Sequence, residues 1–390
     1  MEKNEMLLIG KLNPEEFRSF NSLGDGLVKA FGEGKIEYSN YQPKIIGHIC
    51  AGNIPGIAVF EMLIDKFLGA ATWIKTSSDE PIFGVLYAKS IEEVDKKLAN
   101  TIAILPFKSG NEALEEFLFS NSDIVRATGG ERARENLNRL AEKCKTPLAG
   151  HWHKLSFITI SKEYLKARTA GKIAELVSLD ISAWDQQGCF SPQEIFVETG
   201  GEITPQRFAE ILAGEMLKTS QALPKGKKSG NINVLDAYHR YFKKKILGEP
   251  IEIFLSKNRD WLVIYDESSQ SFEPSNLFRT IKVKPISDIM DMVEIVKPVK
   301  DFLQTIGVAI PLDRLLSFAD AMGKLGASNI RVVGSMTFPK LWEPWDGKMP
   351  IEELLERSDI RWTSINTRDV DQEIERLLRV KREIIDKKLR

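Results

Sequence analysis

Short apolar runs alternate early in the chain with segments that carry apolar residues at helical spacing. The runs KIIGHICA, ATWIKTS and TIAILPF are separated by PGIAVFEMLIDKFLG and IEEVDKKLAN, in which apolar positions recur every three to four residues. Strand and helix signals that alternate in this way are typical of βαβ units. We therefore predict an α/β fold with a mostly parallel sheet.

The alternation continues along most of the chain. Further strands are predicted at DIVRAT, LSFITI, EIFVET, IEIFLS, WLVIYDE, FRTIKVK, FLQTIGVAI and NIRVVGS, and helices near residues 131–144, 164–180, 204–219, 231–247 and 312–325. The stretch PKGKKSGN at 224–231 predicts a solvated loop. Residues 367–390 predict an amphipathic helix with apolar positions at Val370, Ile374, Leu377, Leu378, Ile384 and Ile385. That helix either packs on the protein or binds a partner.

Length and charge narrow the class of protein. The 390 residues exceed what one hydrophobic core usually organises, and 43% apolar content suffices for two, so we expect two principal domains. The formal net charge of −1 gives no electrostatic reason to propose nucleic acid or an anionic membrane as the main partner. The N-terminus has no signal-peptide pattern, and Glu61, Asp65 and Lys66 interrupt the most apolar later stretch. A cytoplasmic protein with no membrane span and a small-molecule ligand is expected.

The chain has three cysteines, Cys50, Cys144 and Cys189, without C-x-x-C spacing. An odd set of this kind indicates neither a disulfide framework nor a zinc site. In QQGCFSP the glycine removes bulk beside Cys189, and the Ser-Pro turn exposes the thiol to a cleft, which suits a nucleophile. Cys50 in an apolar strand and Cys144 at a helix end are expected to be structural.

Two other motifs predict ligand contacts. In CAGNIPG, Asn53 follows a parallel strand at the position where α/β proteins bind ligands; an asparagine that only shapes the turn is the alternative. In ATGGERA two glycines precede a helix, whose first N–H groups could face a pyrophosphate, although helix ends and turns use the same residues. His151 and His153 have no third ligand near them in sequence, so no metal site is predicted.

In order along the chain, CAGNIPG, KTSSDEP, GH at residues 150–151 and DQQGCFSPQEIFVE resemble the fatty acyl-CoA reductases of bacterial luminescence systems, within the aldehyde dehydrogenase superfamily. The resemblance spans about residue 45 to residue 350 and implies a dinucleotide-binding domain with a mostly parallel sheet plus an α/β catalytic domain. We expect an NADP(H)-binding domain at 1–180, a catalytic domain with the cysteine nucleophile at 181–345, and a C-terminal helical extension at 346–390.

The resemblance also implies roles for single residues. Cys189 is the expected nucleophile, and the Asn53 amide with the backbone N–H of Cys189 would form an oxyanion hole. His151 is expected near the thiol as a proton donor or shuttle, with an ordinary hydrogen-bonded histidine as the alternative. The segment expected to lie along the dinucleotide contains Thr128, Gly129 and Gly130.

Cofactor choice depends on the segment KTSSDEP. Lys75 matches the superfamily lysine that reaches the adenosine ribose or its phosphate; a solvated lysine at a strand end is the alternative. Ser78 stands where relatives that prefer NAD tend to carry a glutamate, so no carboxylate there repels a 2′-phosphate, although Asp79 is adjacent. NADPH is the expected cofactor.

Two departures from the superfamily pattern bear on the reaction. Relatives that oxidise aldehydes carry a water-activating glutamate where this chain has Ala149, Gly150 and His151, so hydrolysis of an acyl-enzyme should be slow. The E-x-F-G-P segment, whose glutamate binds the nicotinamide ribose in many relatives, is missing.

The predicted activity is NADPH-dependent reduction of a long-chain fatty acyl-CoA to the aldehyde through a cysteine thioester. The alternatives are a short-chain acyl-CoA reductase or acylating aldehyde dehydrogenase of the same fold, and a non-catalytic scaffold. By analogy, a homo-oligomer and an acyl-protein synthetase partner are also expected.

Overall fold

The computed structural model describes residues 43–226, 231–341, 343–355, 364–365 and 370–389. Residues 227–230 of the predicted loop and the predicted helix positions 367–369 and 390 lie outside these ranges. The chain divides into two compact units, Met1–His153 with Leu341–Trp362 and Lys154–Lys340 with Thr363–Arg390. None of the described helices is long and apolar enough to cross a membrane.

The first unit contains a five-stranded sheet in the order β3-β2-β1-β4-β5, and all its pairings are parallel. Its elements are β1 (Ile45–Ile49), α1 (Ile57–Leu68), β2 (Ala71–Lys75), α2 (Phe83–Val94), α3 (Lys96–Ala99), β3 (Ile102–Leu105), α4 (Glu112–Ser120), β4 (Ile124–Thr128), α5 (Glu131–Cys144) and β5 (Leu148–His151). The strand order reverses between β1 and β4. The loops after these two strands therefore border the crevice where α/β proteins usually bind ligands.

Glycine and aspartate set helix boundaries in this unit. α1 ends at Gly69, which adopts a left-handed conformation at φ 71° and donates its N–H to the carbonyls of Asp65 and Lys66. The helix predicted at IEEVDKKLAN begins earlier, at Phe83, and is interrupted at Asp95. The extended Asp95 accepts hydrogen bonds from the N–H groups of Lys97 and Leu98, so it caps α3 and separates it from α2.

The second unit contains an eight-stranded sheet in the order β13-β12-β11-β6-β7-β10-β9-β8. Its elements are β6 (Leu155–Ile160), α6 (Ala170–Ser182), β7 (Pro192–Glu198), α7 (Pro205–Ala222), α8 (Asn231–Ile246), β8 (Ile251–Leu255), β9 (Leu262–Asp266), β10 (Thr280–Ile286), α9 (Met292–Val296), β11 (Leu303–Ala309), α10 (Leu312–Lys324), β12 (Asn329–Val332), β13 (Ser364–Ile365) and α12 (Val370–Leu389). β8 and β9 are antiparallel, and the other pairings of the described strands are parallel. The predicted α/β class with mostly parallel sheets is confirmed.

The boundary between the units differs from the predicted one. We predicted a division after residue 180, but β6 pairs with β7 on one side and β11 on the other, within the second sheet. The predicted extension at 346–390 is shared between the units. α11 (Pro350–Leu354) belongs to the first, whereas α12 packs Val370, Ile374, Leu377 and Leu378 into the core of the second. The packed form of the terminal helix is thus the one observed.

Candidate active site

Cys189 lies half-buried in the loop between α6 and β7. Its carbonyl accepts a hydrogen bond of 2.7 Å from Oγ of Ser156, a buried residue of β6. A Cβ on the preceding Gly188 would lie 2.6 Å from the ring of Phe190, so a larger residue would displace the ring or the loop. The backbone of Cys189 is therefore held in place, while its thiol is not fully buried.

The turn before Cys189 is strained. Asp185 at φ 49° and Gln186 at φ 60° occupy the left-handed region, which costs about 1–2 kcal/mol for a residue with a Cβ. The buried Arg279 holds the turn, because its Nε donates to Asp185 at 2.5 Å and its Nη2 donates to the Ser182 carbonyl at 3.2 Å. Strain of this kind, maintained by surrounding contacts, is typical of functional loops.

The other two cysteines have different surroundings. Burial raises the pKa of the Cys50 thiol well above its ordinary value, and Glu61 acts in the same direction. Cys144 ends α5, where its Sγ accepts a hydrogen bond of 3.4 Å from Oγ of Ser120. These contacts fit the structural roles predicted for both, and Cys189 stays the predicted nucleophile.

The loop that carries Asn53 follows β1 and is held from two sides. Oγ1 of Thr128, the last residue of β4, accepts a hydrogen bond of 2.8 Å from the Ala51 N–H. On the other side, a Cβ on Gly52 would lie 2.3 Å from Oγ of Ser77, so the loop after β2 packs directly against this glycine. Asn53 itself is exposed at the carboxyl edge of the first sheet. The structure thus places Asn53 at the predicted crevice.

Lys75 ends β2 and is almost completely buried. Its Nζ donates to Oγ of Ser109 at 2.5 Å, which connects the end of β2 to the loop after β3. Burial lowers the pKa of Lys75, while Glu115 opposes the shift. The contact of Lys75 with a ribose phosphate stays a prediction, and so does that of Ser78, which is exposed in the same region.

The two glycines before α5 leave its first turn open. Gly130 precedes the helix, no side chain caps the first N–H groups, and a Cβ on Gly130 would meet no atom within 4 Å. The Gly129 N–H donates to the His151 carbonyl at 3.1 Å, which fixes the approach to the helix. An open helix N-terminus beside the crevice fits a pyrophosphate group.

His151 is buried between two carboxylates of its own unit. Its Nδ1 lies 2.9 Å from Asp346 and its Nε2 lies 2.8 Å from Glu353. Burial alone lowers the pKa of His151, but Glu353 and Asp346 outweigh it and raise the pKa to about 9. This environment favours the alternative of a hydrogen-bonded histidine, and a role in proton transfer stays a prediction.

His151 belongs to a larger buried charge cluster, which the sequence reasoning missed. Arg126 Nη1 lies 3.1 Å from Glu61, and Glu61 lies 3.2 Å from His48 Nδ1. The Nε2 of His48 in turn lies 2.7 Å from Asp65. The sequence did contain a signal of this cluster. His48 and Arg126 interrupt apolar strands. Glu61 and Asp65 stand four residues apart on the apolar helix α1. Charges at inward positions of that kind indicate buried ion pairs.

The predicted site residues fall in both units. Cys189 lies in the second unit, and the other predicted site residues lie in the first: Asn53, Lys75, Ser78, Thr128, Gly129, Gly130 and His151.

The segment expected to lack a water-activating glutamate contains Gly150. The indole of Trp152 covers this glycine, and a Cβ on Gly150 would lie 2.3 Å from the ring. Within the described residues, no group of three or more histidine, cysteine or acidic side chains could hold a metal ion.

Comparison with known proteins identifies a family that this chain matches over most of its length. A family model described as "Acyl-CoA reductase (LuxC)" matches residues 25–357. The long-chain acyl-protein thioester reductase 2 of Photobacterium leiognathi is 26% identical over 356 residues, which cover 90% of this chain and 69% of that protein. The corresponding reductase of Aliivibrio fischeri is 26% identical over 348 residues, which cover 87% and 68%.

Solved structures support the fold. An oxidoreductase from Marinobacter aquaeolei superposes with a TM-score of 0.64 at 13% identity, covering 82% of this chain and 69% of that one. A glyceraldehyde-3-phosphate dehydrogenase from Methanocaldococcus jannaschii, solved with NADP, gives a TM-score of 0.59 at 16% identity, covering 81% and 72%. Lactaldehyde dehydrogenase from Escherichia coli gives 0.58 at 14% identity, covering 82% and 70%. The predicted aldehyde dehydrogenase-like fold is confirmed.

Proposed function

This chain belongs to the acyl-CoA reductase (LuxC) family, and from that premise we propose that it reduces a long-chain fatty acyl-CoA to the aldehyde with NADPH, through a thioester on Cys189. The observation that carries the proposal is the loop around Cys189. It combines a half-buried thiol, a strained turn anchored by Arg279 and a carbonyl anchored by Ser156. Such contacts hold the backbone that carries a reactive side chain in place, as covalent catalysis requires.

In the proposed first step, the Cys189 thiolate attacks the thioester carbonyl. A new carbon–sulfur bond forms, the bond to coenzyme A breaks, and the departing thiolate takes up a proton. The Asn53 amide and the Cys189 N–H stabilise the developing oxyanion, and one such donor is worth roughly 3–4 kcal/mol in acyl-transfer enzymes. The product of this step is an acyl-enzyme and free coenzyme A.

NADPH, when bound, supplies the hydride that reduces the acyl carbonyl. The residues that would hold it are Thr128, Gly129, Gly130 and the first N–H groups of α5 along the dinucleotide, with Lys75 and Ser78 at the adenosine ribose. After reduction, the tetrahedral alkoxide on Cys189 re-forms a carbonyl as its carbon–sulfur bond breaks. The aldehyde leaves and the thiolate is restored.

The surroundings of Gly150 support reduction over hydrolysis. A glycine has no carboxylate to activate water, and Trp152 covers the position with an apolar ring. An acyl-enzyme would therefore persist long enough to be reduced.

The carrier of the acyl group is a separate question. The curated relatives are named acyl-protein thioester reductases, which favours a protein thioester as a second candidate substrate, delivered by an acyl-protein synthetase.

A homo-oligomer is proposed by analogy. A short-chain reductase and a non-catalytic scaffold remain alternatives, which differ from the main proposal in chain-length preference and in turnover.

The test is acyl-CoA-dependent NADPH oxidation by the wild type, Cys189→Ala and Cys144→Ala. We expect activity in the wild type and in Cys144→Ala, and none in Cys189→Ala. Without NADPH, a long-chain acyl-CoA should leave one acyl group on the Cys189 peptide, measured by intact mass and peptide mapping. Equal activity in all three proteins, or an acyl group found only on Cys50 or Cys144, would contradict the nucleophile assignment.

A further inference from the structure

The side chain of Thr128 bonds to the backbone of the loop that carries Asn53. Its Oγ1 accepts a hydrogen bond of 2.8 Å from the Ala51 N–H and lies 3.4 Å from the Ile49 carbonyl, toward which the hydroxyl can donate. One hydroxyl therefore joins the end of β4 to the end of β1 and to the start of the Asn53 loop.

The position of this bond in the sheet explains why a side chain is needed. The parallel ladder between β1 and β4 runs from Ile46 opposite Ile124 to Ile49 opposite Ala127. Ala51 lies beyond the last ladder pair, where β1 turns into the loop. The Thr128 hydroxyl supplies an acceptor at this point, so it extends the tie between the two strands past the end of the sheet.

The opposite side of the loop is closed by the segment after β2. A Cβ on Gly52 would lie 2.3 Å from Ser77 Oγ and 3.0 Å from Asp79 Cβ, so this segment is in close contact with the glycine. Asn53 is the next residue. Thr128 on one side and Ser77 on the other therefore limit the positions that the Asn53 backbone can adopt.

From this geometry we propose that Thr128 is a positioning residue for Asn53 in acyl transfer, acting through the Ala51 N–H. The inference rests on the proposed function, because it takes the Asn53 amide as an oxyanion donor. Such donors act only when they are aimed at the developing charge, and a misplacement of about 1 Å can cost about a hundredfold in rate. The hydroxyl of Thr128 thus serves the acylation step through its bond to the Ala51 N–H.

The test compares Thr128→Val, which keeps the shape and loses the hydroxyl, with Thr128→Ser, which keeps the hydroxyl. Thr146→Val is the matched control, because Thr146 lies in the same unit, in the loop before β5, and its Oγ1 donates to the Phe119 carbonyl at 2.8 Å. The rate of Cys189 acylation by a long-chain acyl-CoA is measured without NADPH, and NADPH affinity is measured separately.

We expect Thr128→Val to slow acylation by roughly 10- to 100-fold in the absence of NADPH, where a loss of cofactor contacts cannot contribute. Thr128→Ser should restore most of the rate, and Thr146→Val should acylate like the wild type. Hydrogen exchange of the segment 50–56 should be several-fold faster in Thr128→Val, because one hydrogen bond of the loop is lost.

An unchanged acylation rate in Thr128→Val would overturn the proposal, and weaker NADPH binding beside it would leave Thr128 with its cofactor contact alone. Unchanged exchange in residues 50–56 would overturn it as well. A wild type that takes up no acyl group on Cys189 would contradict the proposed function instead, and the exchange rates would then decide alone whether Thr128 restrains the loop.

Discussion

At the scale of single residues, a thiol nucleophile has to be reachable and partly ionised. Cys189 is reachable, because its side chain is not fully buried. Cys50 is buried, and burial raises the pKa of its thiol. Cys189 is half-buried in a loop whose backbone is held by Ser156 and whose preceding turn is held by Arg279. Restraint of the backbone without full burial of the side chain is the combination that covalent catalysis uses.

Ser78 lies exposed near the carboxyl edge of the first sheet, where the ribose of the cofactor is proposed to bind. Ser78→Glu should weaken NADPH binding far more than NADH binding, because a new carboxylate repels a 2′-phosphate but can accept hydrogen bonds from ribose hydroxyls. The phosphate contacts at stake are worth roughly 1.5–3 kcal/mol each, or about a tenfold or larger change in Kd. Titration of both cofactors against both proteins measures the effect.

Ser90→Glu is the matched control, since Ser90 is another exposed serine of the first unit, on α2. It should leave both Kd values unchanged. If Ser78→Glu weakens NADPH and NADH equally, or weakens neither, the segment after β2 does not lie along the adenosine ribose and the placement of Lys75 there is wrong.

Local motifs in the sequence were enough to propose candidate site residues, but they did not indicate which other residues hold the candidates in place. Cys189 and Asn53 stand in short motifs of glycine, serine and proline that are visible in the sequence. Their supports come from distant positions: Ser156 is 33 residues from Cys189, and Thr128 is 77 residues from Ala51. Such contacts depend on which strands become neighbours, and local spacing carries no information about that.

At the scale of elements, a truncated core residue in α12 shows how far the stability of the second unit depends on this terminal helix. Leu378 is 1% exposed in the core of that unit. Leu378→Ala should lower the free energy of unfolding by about 2–5 kcal/mol, through lost apolar burial and a residual cavity. Urea unfolding followed by circular dichroism gives the difference.

Val380→Ala on the same helix is the control, because Val380 is 37% exposed and its truncation should cost well under about 1 kcal/mol. Equal losses for the two variants would mean that α12 does not contribute to the core through Leu378.

Element prediction succeeded where the pattern was strong and local. The helix predicted at 131–144 matches α5 at both ends, since its apolar positions recur on one face and a lysine in the left-handed conformation ends it. β5 was not among the predicted strands because LAGH has no β-branched residue and no Phe, Tyr or Trp, and it forms through pairing with β4. The break at Asp95 was missed because the helical spacing continues through it.

At the scale of the whole molecule, chain order and unit membership do not coincide. The predicted boundary assumed that each domain is one continuous segment, whereas Leu341–Trp362 joins the first unit after the second has begun. Within the first unit, α11 and the residues before it contribute Asp346 and Glu353 to His151, and the Trp345 ring lies 5.3 Å from the Arg126 guanidinium. A charge cluster assembled from such distant segments cannot be derived from local pattern.

This buried cluster should make the stability of the protein fall on the alkaline side. The pKa values of His48 and His151 are raised from 6.5 to about 9, since their acidic neighbours outweigh the effect of burial. Between pH 6.5 and 9 these two histidines therefore bind more protons in the folded state than in the unfolded state, and their contribution to the free energy of unfolding decreases as pH rises. The stabilisation is fully present below pH 6.5 and is lost as pH rises through about 9.

Thermal unfolding of the wild type, His151→Gln and His153→Gln from pH 6.5 to 9.5 tests this dependence. His151→Gln should be less stable at pH 7, because Glu353 and Asp346 lose a cationic partner. Its stability should also fall less as pH rises, because one of the two histidines with a raised pKa is gone. His153→Gln is the control, since His153 is exposed two residues away, and it should keep the slope of the wild type. The same slope in all three proteins would mean that His151 does not carry the extra proton in the folded state, and the charge assigned to the cluster would be wrong.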